Sequence, residues 1–530
     1  MLNERAPRLL TVLAVSAAFN AALTLQNAWP SLWVTLGAGV SVELLVLIVF
    51  LAFCLERRAE LGRPLAWCLA ISLFLLIAGR YAAVTAHSLF GRPINLYFDL
   101  PHLPEVAAMT VGARSAPEIL GIAAAALAIP VMLLLSIRWG VGAIARCLTD
   151  KPLRRATGGI AAAGIVVFFA ASLPAFQWAG RGFAFPVSTV YAEQAKFLAE
   201  ALTGPRDDRL VSPPGPPADP AALNGADVFV IFLESYGEVA YRLPGISGEI
   251  RVRAAAAGRH LSAKGWHVVS GLFESPTFGG ASWLAHSSFL TGTTVSENRD
   301  YELLLSSDRT SFVRDFAKAG YRTVALMPGL KLAWPEGKFY GFDKIYAAAD
   351  LDYAGPPFGW WEIPDQFSLG RLDEREIRAT GRKPLFVVYP TIMSHMPFTP
   401  VPPYLADWAK AIKPAAYARA SDEPSAALGD WKAARRAYQE SMLYNLATIE
   451  GFLAERAPEN ALVVVLGDHQ PPGLVSGAGA SRLVPVHVFS RDAARIAGFR
   501  AAGLKDGFVP SGNALGDFAV LHRRFADALK

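Results

Sequence analysis

A few positions in this 530-residue chain carry side chains that could do chemistry together: Glu234, the pair Asp468-His469, a lone His395, and the hydroxyl-rich stretch SPTFGGASWLAHSSFLTG at residues 275–292. Carboxylate oxygen and imidazole nitrogen suit a divalent ion such as zinc, manganese or magnesium. A metal beside a hydroxyl lowers its pKa, makes a nucleophile near neutral pH, and polarises an oxygen of a phosphate or sulfate ester. A free histidine nearby could protonate the leaving oxygen. The stretch offers four hydroxyls, Ser275, Thr277, Ser282 and Ser287, and residue types alone do not choose among them. Taken singly each signal is weak. A Glu after a strand is often only a capping carboxylate, and His260, His267, His286 and His487 show how common isolated histidines are here.

What gives the set weight is the elements that must position it. Five short apolar runs, DVFVIFL, WHVVSGLF, YRTVALM, PLFVVYP and ALVVVLG, alternate with helical stretches beyond residue 226. Near-continuous apolar runs are strands buried on both faces, and their alternation with helices predicts an α/β domain with a mostly parallel central sheet. Ligands bind such sheets beyond the carboxyl ends of the strands. Glu234 follows the first run, the hydroxyl stretch the second, His395 in TIMSHMPF the fourth and Asp468-His469 the fifth.

The first 180 residues read differently. The chain as a whole is 53% hydrophobic and 18% charged, low charge for a soluble protein. Five runs, at about 9–29, 32–55, 64–85, 117–137 and 158–178, approach the ~20 apolar residues a spanning helix needs. Arg5 and Arg8, Arg57, Arg58 and Arg63, and Arg138 to Arg155 fall in segments on one side, which predicts that side as cytoplasmic and everything after the fifth span as extracytoplasmic. Glu43 falls within the second run and Arg80 late in the third, where a charge is costly and either serves a function or pairs inside the bundle. Residues 185–202 have helical spacing with an apolar face, fit for a membrane surface. The Pro-rich residues 204–225 read as a linker, so the expected division is a membrane domain 1–180, a surface helix and linker 181–225, and a catalytic domain 226–530. All three cysteines, Cys54, Cys68 and Cys147, lie in or beside the apolar runs, so the later domain has no disulfide framework. The net charge of +5 sits largely in loops between spans, and no nucleic-acid motif is present.

In order and spacing, these residues resemble the sulfatase-like branch of the alkaline phosphatase superfamily. More closely they are similar to membrane-anchored lipoteichoic acid synthases and phosphoethanolamine transferases. The resemblance implies an alkaline-phosphatase-like fold and one divalent metal ion held by Glu234 in FLESYG, a Ser or Thr nucleophile, and Asp468-His469 in LGDHQ. It places His395 in SHMPF on the substrate phosphate. The sulfatase signature sets its nucleophile nine residues before a Thr-Gly, and nine before Thr291 is Ser282; a Thr-x-x-Gly-x-Thr pattern over TFGGAS ends on Ser282 as well. Ser282 is thus the implied nucleophile and fourth metal ligand, with Thr277 second. The resemblance also implies a phospholipid donor, an envelope glycan or lipid acceptor, and a cytoplasmic-membrane anchor. The alternative is a membrane-anchored phosphodiesterase or sulfatase-type hydrolase.

Three departures bear on the substrate. SWLAH lacks the Pro and Arg of the signature that converts the sulfatase nucleophile to an aldehyde, which favours unmodified Ser282 and phosphoryl transfer, with His286 standing where the Arg would be. The absence of cysteine favours the phosphoglycerol over the phosphoethanolamine branch. The phosphoglycerol branch sets an Arg two residues after a Trp in its head-group pocket; here Trp334 is followed at that place by Glu336, with Lys331 or Lys338 as possible substitutes. Trp334, Lys338, His286 and His395 are the implied substrate-binding set.

Overall fold

The computed structural model describes residues 2–28, 33–90, 94–100, 103–104, 107, 115–173, 177–203, 213–358, 361–417, 431–477 and 479–529. Part of the Pro-rich stretch, 204–212, and Trp360 lie outside them. Contacts divide the chain into two compact units, one of residues 1–88 and 92–206, the other of 89–91 and 207–530.

Among the described residues, the long helices of the first unit are α1 (Leu2–Leu23), α2 (Val42–Arg57), α3 (Arg63–Phe90), α4 (Ala116–Cys147), α5 (Lys151–Ala170) and α6 (Val187–Thr203). Four of these, α1, α3, α4 and α5, are long and apolar enough to cross a membrane. The expected second span, 32–55, is shorter: Ser41 caps α2, which begins only at Val42 and has 16 residues. Glu43 is therefore not mid-span. It lies in the first turn of α2, where its carboxylate accepts from Ser41 Oγ at 2.6 Å and from the backbone N–H of Ser188, at the start of α6, at 3.0 Å. The helices share two ends. At one, Arg5 pairs with Asp150 at 3.2 Å and Arg154 Nε with Glu56 at 2.8 Å. At the other, Asn20 bonds Gly39 and Ser41, Arg80 Nε donates to Leu25 O at 2.7 Å, and Glu43 meets Ser188. α2 runs between these same ends. It packs closely along α5, where Leu45 sits on Gly164 and Ala52 on Gly158 and a Cβ would not fit without movement.

The second unit is a nine-stranded sheet flanked by helices. In chain order its elements include β1 (Val228–Leu233), α7 (Ser247–Ala263), β2 (His267–Glu274), α8 (Ser282–Thr291), β3 (Arg322–Met327), β4 (Lys344–Ala347), α9 (Asp365–Leu372), β5 (Leu385–Pro390), α10 (Trp431–Glu455), β6 (Leu462–Gly467), β7 (Leu483–Ser490), β8 (Lys505–Asp506), β9 (Ala514–Asp517) and α11 (Phe518–Ala528). The spatial order is β8-β2-β7-β6-β1-β5-β3-β4, with β9 beside β2. Strands β6, β1, β5, β3 and β4 are parallel, while β7 runs antiparallel to both β6 and β2. All five apolar runs are strands. Every residue of β1 and β6 is buried, because core clusters cover both faces: Phe229 and Ile231 pack with α7 and α10, and Val228, Val230 and Phe232 with α8 and α11. β1 thus lies at the sheet centre, and its carboxyl end faces those of β5 and β6, where Glu234, the 391–397 turn and Asp468 emerge.

Candidate active site

Three non-standard backbone features shape the carboxyl edge. Ser235, directly after Glu234, has φ 57°, and Ala281, directly before Ser282, has φ 60°. Non-glycine residues in the left-handed region are uncommon and concentrate at functional sites. Gly467 ends β6 so close to the Tyr236 carbonyl that an added Cβ would lie 1.9 Å from its oxygen. Only glycine lets the chain turn there into Asp468.

The side chains of the cluster are held by short hydrogen bonds to their immediate neighbours. Asp468 Oδ1 accepts from the N–H groups of Ser235 at 2.8 Å and His469 at 2.7 Å, and its Oδ2 lies 3.7 Å from His469 Nε2 and 4.0 Å from His286 Nε2. His469 Nδ1 donates to Gln470 O at 2.8 Å, so its Nε2 presents a lone pair. Glu234 Oε1 accepts from Ser235 Oγ at 2.8 Å. Ser282 is the first residue of α8, and its Oγ lies 3.1 Å from Glu234 Oε2 and 3.0 Å from His469 Nε2. One hydroxyl proton cannot serve both acceptors. The ligand atoms of Glu234, Asp468 and His469 lie within 4.8 Å of one another, all three residues buried. Lone pairs converging on one point without enough protons between them are what a divalent cation satisfies, so the residues fit a metal. Burial raises the Asp468 carboxyl to about 6, and the nearby Glu234 charge pushes the same way. Burial pushes the His469 imidazole down, but the Asp468 and Glu234 carboxylates outweigh it and its pKa is raised.

Of the four candidate hydroxyls only Ser282 meets this cluster. Ser275 Oγ donates to Asp468 O and accepts from the Thr277 N–H at 3.2 Å, which ties the loop together. Ser287 Oγ sits 2.7 Å from Tyr340 Oη inside the core. The two candidate histidines beside the cluster differ. His286 Nε2 is buried without a hydrogen-bond partner, 4.0 Å from Asp468 Oδ2, and its ring rests on Phe232 at 4.2 Å; burial lowers its pKa to about 4. His395 Nδ1 donates to Met396 O at 2.8 Å, and its ring meets Trp361 edge-on at 5.0 Å. Burial lowers its pKa, and it lies close enough to His469 and Asp468 for both charges to act on it. Trp334 and Lys338 are not brought to the cluster. Trp334 stacks on Tyr340 at 5.8 Å, Lys338 is exposed on the short helix Gly337–Tyr340, and neither bonds to a member of the cluster. Lys331 pairs with Glu362 at 2.8 Å.

Sequence reasoning overlooked the supports. Glu234 N donates to Thr391 Oγ1 at 3.1 Å, Ser394 Oγ donates to Glu234 O, and Asn445 Nδ2 donates to Ser394 Oγ at 2.8 Å. Asp365 accepts three hydrogen bonds from the same turn region. These are ordinary polar residues in unremarkable contexts. The one usable signal was the polar run after β5, since polar residues directly beyond a buried strand must find partners.

Residues 267–481 match the sulfatase family model, a segment that holds every candidate site residue except Glu234. No curated protein matches the chain. Among solved structures, the chain is similar to the lipoteichoic acid synthase LtaP from Listeria monocytogenes, at 15% identity and TM-score 0.36 over 50% of this chain and 65% of that one. It is similar to the C-terminal periplasmic domain of EcEptC from Escherichia coli in complex with Zn, at 14% identity and TM-score 0.35 over 52% and 76%. It is also similar to the phosphoglycerol transferase GacH from Streptococcus pyogenes, at 14% identity and TM-score 0.33 over 57% and 74%. The chain spans just under two thirds of the LtaP length. The sulfatase family match thus covers the part of the sheet unit that carries Ser282, His395, Asp468 and His469.

Proposed function

We propose that this protein is a membrane-anchored, metal-dependent phosphotransferase that moves a phospho-head-group of phosphoglycerol or phosphoethanolamine type from a phospholipid to an envelope glycan or lipid, through a covalent intermediate on Ser282. The observation that carries the reading is Ser282 Oγ at the amino end of α8, within 3.1 Å of both Glu234 and His469. Glu234, Asp468, His469 and Ser282 would hold one divalent ion of zinc, manganese or magnesium type. When bound, the ion lowers the Ser282 pKa and offsets charge on the phosphate oxygens. Ser282, having lost its proton to solvent, attacks phosphorus; the Oγ–P bond forms as the bond from phosphorus to the diacylglycerol oxygen breaks. The amino end of the ten-residue helix α8 favours the anionic group there. His395 is neutral in the empty site, and an anionic phosphodiester raises its pKa toward the charged form. It then gives its Nε2 proton to the leaving oxygen. In the second half it takes the proton of the acceptor hydroxyl, whose oxygen displaces Ser282. His286, whose Nε2 lies 4.0 Å from Asp468 Oδ2, would contact the phosphate. Trp334 and Lys338 act further out, on the head group.

The anchor follows from the bundle. α2, though short, joins the four long helices as a fifth crossing between the same two ends. Arg5, Arg57, Arg58, Arg146, Lys151, Arg154 and Arg155 gather at the end marked by the Arg154–Glu56 pair. By the positive-inside rule that end is cytoplasmic, and the catalytic unit follows an odd number of crossings into the extracytoplasmic space. A hydrolase is the second reading, favoured by the sulfatase family match. Membranes with wild type or Ser282→Ala, given labelled phosphatidylglycerol or phosphatidylethanolamine and divalent metal, separate these. Diacylglycerol release by wild type alone supports the proposal. Release by both variants removes Ser282 from the mechanism. Cleavage of aryl esters without lipid turnover favours the hydrolase.

A further inference from the structure

We propose that Asp365 is a positioning residue for this site, holding the 391–397 turn so that His395 stays in register with Glu234; the inference rests on the reading of His395 given above. Asp365 opens α9 and is 1% exposed. Its Oδ1 accepts from Ile392 N at 2.9 Å and Tyr389 Oη at 2.8 Å, and its Oδ2 from Met393 N at 3.0 Å. Among the described residues no Lys, Arg or His pairs with it. A buried carboxylate without a cation is costly and persists only where its hydrogen bonds fix something. Here they fix the start of the turn that His395 N closes by donating to Ile392 O at 3.1 Å.

The same turn is held from its other side by the metal-ligand strand. Thr391 Oγ1 accepts from Glu234 N, and Ser394 Oγ donates to Glu234 O while Asn445 holds Ser394. His395 therefore sits between two clamps, one on the Glu234 backbone and one on Asp365. α9 is itself pinned to α10 by Gln366 N, which donates to Tyr444 Oη at 3.1 Å. The carboxylate thus transmits the position of the α9–α10 layer to a catalytic side chain it does not touch.

The test uses the full-length protein in detergent with bis-p-nitrophenyl phosphate as probe, in four forms: wild type, Asp365→Asn, His395→Ala and the double variant. Hydrogen exchange of residues 391–397 is read alongside turnover. Asp365→Asn is expected to speed exchange in that segment by about tenfold while the rest of the sheet unit is unchanged. It should lower kcat by about 10–100-fold with KM within about twofold, and cost less than about threefold more in the His395→Ala background. Tyr389→Phe removes one of the three donors without charge and should shift exchange in the same direction by about threefold. An equal loss in both backgrounds, or unchanged exchange at 391–397, overturns the proposal. If His395→Ala is as active as wild type, the role given to His395 falls, and exchange alone then decides whether Asp365 holds the turn.

Discussion

The two edges of the central sheet treat buried carboxylates in opposite ways. At the amino edge Asp227, 2% exposed and directly before β1, is gripped by Arg382 through two bonds of 2.7 and 2.6 Å and takes a third from Leu385 N. At the carboxyl edge, six residues of β1 later, Glu234 meets two serine hydroxyls, a histidine and the Asp468 carboxyl. Asp468 likewise has backbone N–H groups and histidines, and among the described residues no Lys or Arg pairs with either. The first carboxylate is neutralised by the fold. The second pair has no Lys or Arg to answer its negative charge, and burial first and the Glu234 charge second raise Asp468 to about 6. Asp227 thus comes with its cation inside the fold, whereas among the described residues Glu234 and Asp468 have no Lys or Arg.

This contrast can be broken most severely at Ser282. Ser282→Ala should lower turnover by about a thousandfold or more and leave the melting temperature near that of wild type, measured on one preparation. Next come the ligands. Glu234→Gln and Asp468→Asn should weaken metal binding, read by equilibrium dialysis, beyond the ~10–100-fold typical of an outer-shell partner. Asp227→Ala should do the reverse: metal binding unchanged, stability lower by about 3–5 kcal/mol in denaturant titration, because Arg382 is left without its partner.

The pH dependence sharpens the comparison. A ligand must lose its proton before it can bind a metal. Asp468 titrates near 6, raised by burial and then by the Glu234 charge, and His469 above its usual value because the Asp468 and Glu234 charges outweigh its burial, so metal affinity should rise as pH increases through about 6 and fall below it. For metal-free protein the sign is opposite. The raised Asp468 and Asp365 pKa values, each about 6, mean the folded state binds protons that the unfolded state has released. The contribution of Asp468 and Asp365 to stability without metal should therefore decline between about pH 4 and pH 6 as they charge, and is read as the difference between wild type and the Asp468→Asn and Asp365→Asn variants, because buried histidines such as His286, lowered to about 4, contribute with the opposite sign in the same range. Thermal melts with and without metal across that range read both effects. The smallest expected change is Thr277→Val, below about 1 kcal/mol and within about twofold in turnover, since Thr277 only braces Ser275.

Much of this was legible before any coordinates. The five strand runs announced themselves by near-continuous apolar sequence, four of them in the parallel part of the sheet, and Glu234, Ser282, His395 and Asp468-His469 each follow one. Less legible were features set by tertiary context. Residues 33–41 look as apolar as a spanning helix, but Ser41 caps α2 and Asn20 takes its backbone, so the helix starts late and Glu43 becomes a first-turn residue. β7, LVPVHVFS, carries Pro485 within it and reads poorly as a strand, yet it pairs on both sides. Trp334 stands at the place of the family's Trp, with Glu336 where its Arg would be and Lys338 as a possible substitute, but Gly337 packs under the Trp334 ring and turns that segment toward Tyr340. Asp365 had no sequence signal, because its role lies in bonds to residues 24 to 28 positions away.

The account turns on a covalent bond to Ser282. Acid-quenching wild-type protein during turnover with head-group-labelled phosphatidylglycerol or phosphatidylethanolamine, then mapping the label by peptide mass spectrometry, tests this directly. The expected result is a phospho-head-group adduct on Ser282 that disappears in Ser282→Ala. Label on Thr277, or product formed at full rate by Ser282→Ala, would contradict it.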